Sequence, residues 1–158
     1  MLGRLGMRVP VIQAPMAGGA CTTELVTTVS LSGGLGSIAS AYMTTEDLQK
    51  QIVVVKQKLR GKCFAVNAFV PSPVNYDKGN EGVVRKYVNH LQSEIAQSKN
   101  ENSPVSLPTQ ADIQEAYENM LAIVLNERPD VFSFTFGMPG ENEMKELKQR
   151  NIFVIGWL

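Results

Sequence analysis

The sequence predicts an α/β domain built on a parallel sheet. Short apolar runs rich in β-branched and aromatic residues recur along the chain, without the polar alternation of a half-exposed strand. Longer amphipathic stretches separate them, and most of these open on a helix-capping residue. The resulting order, β-α-β-α-β-insert-α-β-α-β, is one that right-handed crossovers join into a parallel sheet.

In chain order, Val9–Ala14 is the first apolar run and reads as a buried strand. Thr22 then caps a helix that stops at Gly33-Gly34, and Leu35–Ser40 is the second strand. Thr44-Thr-Glu-Asp has capping-box spacing, and Leu48, Ile52, Val55 and Leu59 share one face of the helix it opens. Cys63–Val70 is the third strand. An insert from Pro71 to Pro108 follows, holding a helix over Glu81–Ser98 and a polar stretch over Lys99–Pro104. So long an excursion is functional, lid-like or disordered. Thr109-Gln-Ala-Asp repeats the capping pattern ahead of Ile113, Ala116, Met120 and Ile123. Val131–Phe136 is the fourth strand, Glu143–Arg150 a short helix, and Ile152–Ile155 the fifth strand.

Composition narrows the function. With 15 Lys+Arg against 15 Asp+Glu in 158 residues the net charge is zero, which excludes nucleic-acid binding driven by phosphate neutralisation. No apolar run approaches the ~20 residues of a membrane helix, and Met1–Arg8 has no apolar h-region, so neither a membrane nor a secretory leader is expected. Cys21 and Cys63 form no Cys-x-x-Cys pair, which fits a reduced, cytoplasmic protein. The one histidine, His90, excludes a metal site built on histidine pairs. It reads as a solvated helix residue with no partner carboxylate, and no metal site is expected.

Three local patterns bear on chemistry. Gly34-x-Gly36-x-x-Ala39 matches a dinucleotide fingerprint but follows a helix and enters a strand, the reverse of what a pyrophosphate site needs, so it reads as a helix-to-strand turn. Gln13-Ala-Pro-Met-Ala-Gly-Gly lies at the carboxyl end of the first strand, where Pro15 and Gly18-Gly19 allow a sharp turn. It is either a plain loop or a platform for a flat ligand. Asn67 is an amide within an apolar strand, so it either bonds backbone across the sheet or faces a ligand. Ser133 and Thr135 alternate with Phe132, Phe134 and Phe136, as in a pocket wall or simple packing.

Five segments in order then carry a family resemblance: Pro10–Gly19, Thr22–Leu25, Val29–Ile38, Ala65–Pro71 and Phe132–Pro139. The chain resembles the N-terminal part of the nitronate monooxygenases, also called 2-nitropropane dioxygenases, from about Arg8 to Gly156. The related flavin-dependent enoyl reductases tend to carry Gly-Gly-Met where this chain has Ala14-Pro15-Met16. The resemblance implies a TIM (β/α)8 barrel of which residues 1–158 form one incomplete domain of about five βα units. It implies non-covalent FMN, with nitronate or nitroalkane and O2 as small-molecule partners, and a carbonyl compound and nitrite as products. Ala14, Pro15 and Met16 match the segment lying against the flavin ring, and Asn67 matches an FMN-contacting Asn.

A barrel of this kind needs roughly 250 residues. The family's catalytic His and its FMN phosphate loops have no counterpart here, so no catalytic residue is assigned and the chain alone is expected to be inactive. Inner-face apolar residues such as Ile12, Ile38, Val66 and Phe134 are expected to include several in water, and the edge of the last strand to drive self-association. Two other arrangements fit the same elements: a standalone flavodoxin-like flavin- or nucleotide-binding module, and a non-catalytic half-barrel partner.

Overall fold

The computed structural model of the chain describes residues 2–72, 80–99 and 108–157. Its sheet has four parallel strands, β1 (Gly36–Ala39), β2 (Phe64–Val70), β3 (Val131–Phe136) and β4 (Phe153–Trp157), in the order β1-β2-β3-β4. The helices are α1 (Leu2–Leu5), α2 (Thr23–Leu31), α3 (Thr45–Leu59), α4 (Glu81–Lys99), α5 (Gln110–Glu127) and α6 (Glu141–Gln149). A flavodoxin-like fold would put an early strand in the middle of the sheet; the strictly sequential order excludes it.

The expected first strand is reduced to one bridge, Ile12 to Leu35. Leu35 N–H donates to Val11 O and Gln13 N–H to Leu35 O, each at 2.9 Å. Pro10 and Pro15 flank this pair and cannot donate, which keeps the ladder from extending. The segment still lies beside β1, opposite β2, so five parallel segments follow chain order.

The three threonine caps form as predicted, though the last helix begins at Glu141 instead of Glu143. Thr22 Oγ1 accepts from Leu25 N–H at 3.2 Å and Thr44 Oγ1 from Asp47 N–H at 3.1 Å. Thr109 and Asp112 bond reciprocally at 2.8 and 3.2 Å. Leu48, Ile52, Val55 and Leu59 are buried. On α5 the buried stripe is Tyr117, Leu121 and Val124, one position on from the residues the periodicity picked; Ile113 and Ala116 are exposed. Tyr117 can enter the core because its hydroxyl donates to Glu143 Oε2 at 2.9 Å.

Alternation along each strand separates two faces. Ile38, Phe64, Val66, Ala68, Phe132 and Phe134 pack against α2, α3, α5 and α6 in the main core. This overturns the expectation that Ile38, Val66 and Phe134 line the inner face: all three are buried against helices, and only Ile12 is partly exposed. The other face carries Leu35, Ala65 and Val131, with Phe153 and Ile155, covered at the amino end by Leu5 and Met7. Arg4 stands 5.2 Å over the Phe153 ring. The end of α1 and the residues just after it thus cover the face opposite the main helices.

Gly36 shows how closely α2 rides on the sheet. A Cβ there would lie 2.1 Å from Val26 O. The glycine read as part of a turn is therefore a helix–strand contact point.

The chain divides into two compact units, residues 1–72 with 113–158, and residues 73–112. The second contains α4, whose Val83, Val84 and Tyr87 are exposed. His90 does have a carboxylate beside it: Glu94 lies one turn on, 3.6 Å away, with both side chains in water. Most of the polar stretch over Lys99–Pro104 lies outside the described residues.

Substituting Gly36→Ala should cost about 1–3 kcal/mol by overpacking, whereas Gly82→Ala in α4, with open space around it, should be neutral or slightly stabilising; urea unfolding measures both. Burial, then the Asp130 carboxylate, pushes the Cys63 thiol above its usual range. Burial, then Glu143, does the same for Tyr117. Both groups favour the neutral form when folded, so their stabilisation is complete below the unfolded pKa values, roughly 8.5 and 10. It is lost as pH rises above them. The urea midpoint should fall across that alkaline window, and less so in Cys63→Ala.

Candidate functional site

The site is built from loops at the carboxyl ends of the parallel strands, where side chains can project without interrupting the ladder. Gln13 organises the first loop. In a parallel ladder the N–H of Ser37 would seek the backbone carbonyl of residue 13; the Gln13 side-chain oxygen takes that place, accepting from Ser37 N–H at 2.9 Å. The Gln13 amide nitrogen donates to Ala14 O at 2.7 Å and to Cys21 Sγ at 3.0 Å. Met16 N–H also donates to Cys21 Sγ, at 3.0 Å. The segment Ala14–Cys21 is therefore wrapped around a buried thiol. Cys21 O in turn accepts from Gln51 Nε2 at 3.0 Å, which ties the loop to α3.

This wrapping leaves a cavity of about 390 Å3 lined by Met16, Gly18, Gly19, Ala39, Tyr42 and Met43, among others. The volume lies in the range of small-molecule sites. Gly18 and Gly19 have φ of +85° and +100°, and a Cβ at either would meet open space. Backbone conformation, not a lack of room, demands these glycines.

One strand over, Asn67 is 2 % exposed. Its Nδ2 donates to Ser133 Oγ at 3.1 Å and to Thr135 Oγ1 at 3.4 Å. Its backbone carbonyl accepts from Ser40 N–H at 3.0 Å and from Ser40 Oγ at 2.7 Å. The side chain thus bonds hydroxyls of the neighbouring strand, not its backbone, and Oδ1 accepts nothing among the described residues. Register places Ala39, Asn67, Ser133 and Ile155 in one row across the sheet.

Met16 lines the cavity, while Asn67 does not; they are linked through Ala39, which lines the cavity and pairs with Asn67. Ala14 contributes its carbonyl to the thiol wrapping, and Pro15 sits half-buried between them. Sequence reasoning missed Gln13, Cys21, Ser40 and Tyr42. The signal for Gln13 was available: like Asn67, it is an amide inside an apolar run. Among the described residues no group of three or more His, Cys, Asp or Glu could hold a metal ion, and no helix is long and apolar enough to cross a membrane.

The nitronate monooxygenase family pattern matches residues 3–158. The chain belongs to the nitronate monooxygenase family. A probable nitronate monooxygenase of Staphylococcus saprophyticus is 34% identical over 157 residues, covering 98% of this chain and 41% of the relative. One from Staphylococcus haemolyticus is 37% identical over 152 residues, covering 96% and 40%. Among solved structures, a nitroalkane oxidase from Streptomyces ansochromogenes superposes with a TM-score of 0.77 at 28% identity, covering 95% of this chain and 40% of that one. FabK from Thermotoga maritima gives a TM-score of 0.64 at 25% identity, covering 98% and 35%. The chain thus spans about two fifths of the relatives it matches. Its sequential parallel sheet is part of a TIM barrel, and its family is one of oxidoreductases.

Removing the Gln13 side chain strands the buried Ser37 N–H, so Gln13→Ala should destabilise by about 1–3 kcal/mol. It should also raise hydrogen exchange at Ser37 and Met16. Unchanged exchange at both amides would show that the loop is held by other contacts.

Proposed function

We propose that this chain supplies the ring-side part of an FMN-dependent nitronate monooxygenase, in the cytoplasm, which oxidises alkyl nitronates with O2. The stoichiometry balances when two nitronate anions and one O2 give two carbonyl compounds and two nitrite ions. Residues 1–158 are read as part of a single barrel domain, interrupted by an insert at about 71–108. The observation that carries the reading is Asn67: a buried amide on the inner face, oriented by two hydroxyls, whose side-chain Oδ1 accepts no hydrogen bond among the described residues. Such an atom suits a ring N–H of a bound flavin.

Ala14, Pro15 and Met16 would form the platform beside that ring. The fit rests on the cavity against Met16 and on the open space at Gly18 and Gly19. Bound FMN supplies the electron transfer from substrate to O2 that no side chain here can provide. The protein's share is to orient the ring through Asn67, held in one rotamer by Ser133 and Thr135, and to exclude water with the apolar rows on either side. The family membership and the likeness to a nitroalkane oxidase support the substrate class. Two unpaired buried cysteines support a reducing compartment.

The test is flavin binding and nitrite release measured together. All the residues assigned here face the ring, so riboflavin and FMN should bind the 158-residue chain equally. Asn67→Ala should weaken either by about tenfold, the effect of one lost hydrogen bond in a buried site. With propyl-1-nitronate under air, this chain alone should release no nitrite. A folded chain that binds neither flavin at millimolar concentration overturns the cofactor reading. Unaided turnover overturns the assignment of only the ring side to these residues.

A further inference from the structure

Five non-glycine residues have positive φ among the described residues: Tyr42, Arg60, Arg128, Phe136 and Asn151. Arg60, Arg128 and Asn151 follow α3, α5 and α6, where a left-handed residue is an ordinary way to close a helix. Tyr42 and Phe136 lie at the ends of β1 and β3 instead, with φ of 67° and 76°. Aromatic residues rarely adopt this conformation, and it is strained for them. Tyr42 occupies the third position of a turn closed by Met43 N–H to Ser40 O at 3.0 Å, a place that with φ positive favours Gly.

The strain has a geometric result. Alternation would send Phe136 to the helix side with Phe132 and Phe134. Its ring instead meets Phe69 edge-on at 4.8 Å between centroids. Tyr42 meets Phe69 edge-on from the other side at 6.2 Å. Phe69 lies two residues beyond Asn67 and so on the same face, next to the Asn67–Ser133–Thr135 group. Tyr42 is 86 % exposed and Phe136 72 %, so neither ring is held there by burial. Tyr42 also lines the 390 Å3 cavity beside Met16.

We infer that Tyr42, Phe69 and Phe136 form an apolar wall that receives the alkyl chain of the substrate and sets its preferred length. The inference rests on the proposed nitronate reaction. A nitronate has a charged, oxygen-bearing head and an apolar tail, and this face offers a polar row and an aromatic row in that order towards the strand ends. The tail therefore runs along the three rings while the head stays beside the row of Asn67.

Ethyl, butyl and hexyl nitronate, titrated into the chain with and without FMN and followed through the aromatic NMR signals, test this wall. Affinity should rise about fourfold for each CH2 that reaches it. Tyr42→Gly and Phe136→Gly remove a ring and relieve a positive φ at once. Each should weaken hexyl nitronate by about tenfold and leave the melting temperature unchanged or higher, and Phe136→Gly, outside the cavity lining, should leave ethyl nitronate within about twofold. A melting temperature that falls in both variants would make the rings structural and overturn the inference. So would affinity that ignores chain length, or ring signals unmoved by millimolar hexyl nitronate. A chain-length slope present in chain that fails to bind flavin would sustain the wall and overturn the FMN reading alone.

Discussion

The parallel register that aligns Ala39, Asn67, Ser133 and Ile155 governs the site. A one-residue slip of β2 would turn Asn67 into the helix-side core and Phe64 and Val66 out of it. The slip is prevented from both sides. Ile38, Val66, Phe132 and Phe134 can be buried only where the helices cover them. At the amino end, Asp130 accepts from Phe64 N–H at 3.1 Å through its side chain and from Phe153 N–H at 2.9 Å through its carbonyl. The core and this clamp on three adjacent strands specify the same register.

Once the register is set, polarity is distributed with little freedom. The amino end of the inner face is apolar and closed by Leu5 and Met7. Toward the carboxyl end come amide and hydroxyl groups that satisfy one another, and beyond them the aromatic rings. Burying Asn67 is tolerable because Ser133 and Thr135 take its two amide hydrogens. Gln13 works by the same logic at the other edge, its side-chain oxygen accepting from Ser37 N–H in place of its own backbone carbonyl. Both amides bond backbone or neighbouring side chains and so hold the loop before α2 and the Asn67 row in place.

The half of the site nearest α2 depends on close approach. Gly36 lets the backbone of Val26 lie against β1, which brings the start of α2, and with it Cys21 and the loop before it, over the strand end. The thiol then gathers Gln13 and Met16 around itself. A bulkier residue at position 36 would displace this loop before it disturbed the central strands, so cavity and sheet are separable in their sensitivity to substitution.

Much of the architecture was legible in the sequence. Runs such as Val131–Phe136 are strands because β-branched and aromatic residues fit a pleated, doubly covered surface. Thr22, Thr44 and Thr109 mark helix starts because their hydroxyls accept local N–H groups. Asn67 stood out because an amide in an apolar run must find partners. These are short-range rules, and the residues that obey them carry the whole signal. What the tertiary structure decided depends on neighbours distant in the chain. Which face of Ile38, Val66 and Phe134 meets the helices follows from how the crossovers cover the sheet. The buried stripe of α5 is settled by Glu143, which receives the Tyr117 hydroxyl. The loss of regular pairing at Val9–Ala14 follows from the placing of two prolines against one particular neighbour, Leu35. The gathering of Tyr42, Phe69 and Phe136 was invisible in advance because it requires left-handed backbone at two aromatic residues, a state that local propensity disfavours and that only the packed strand ends impose.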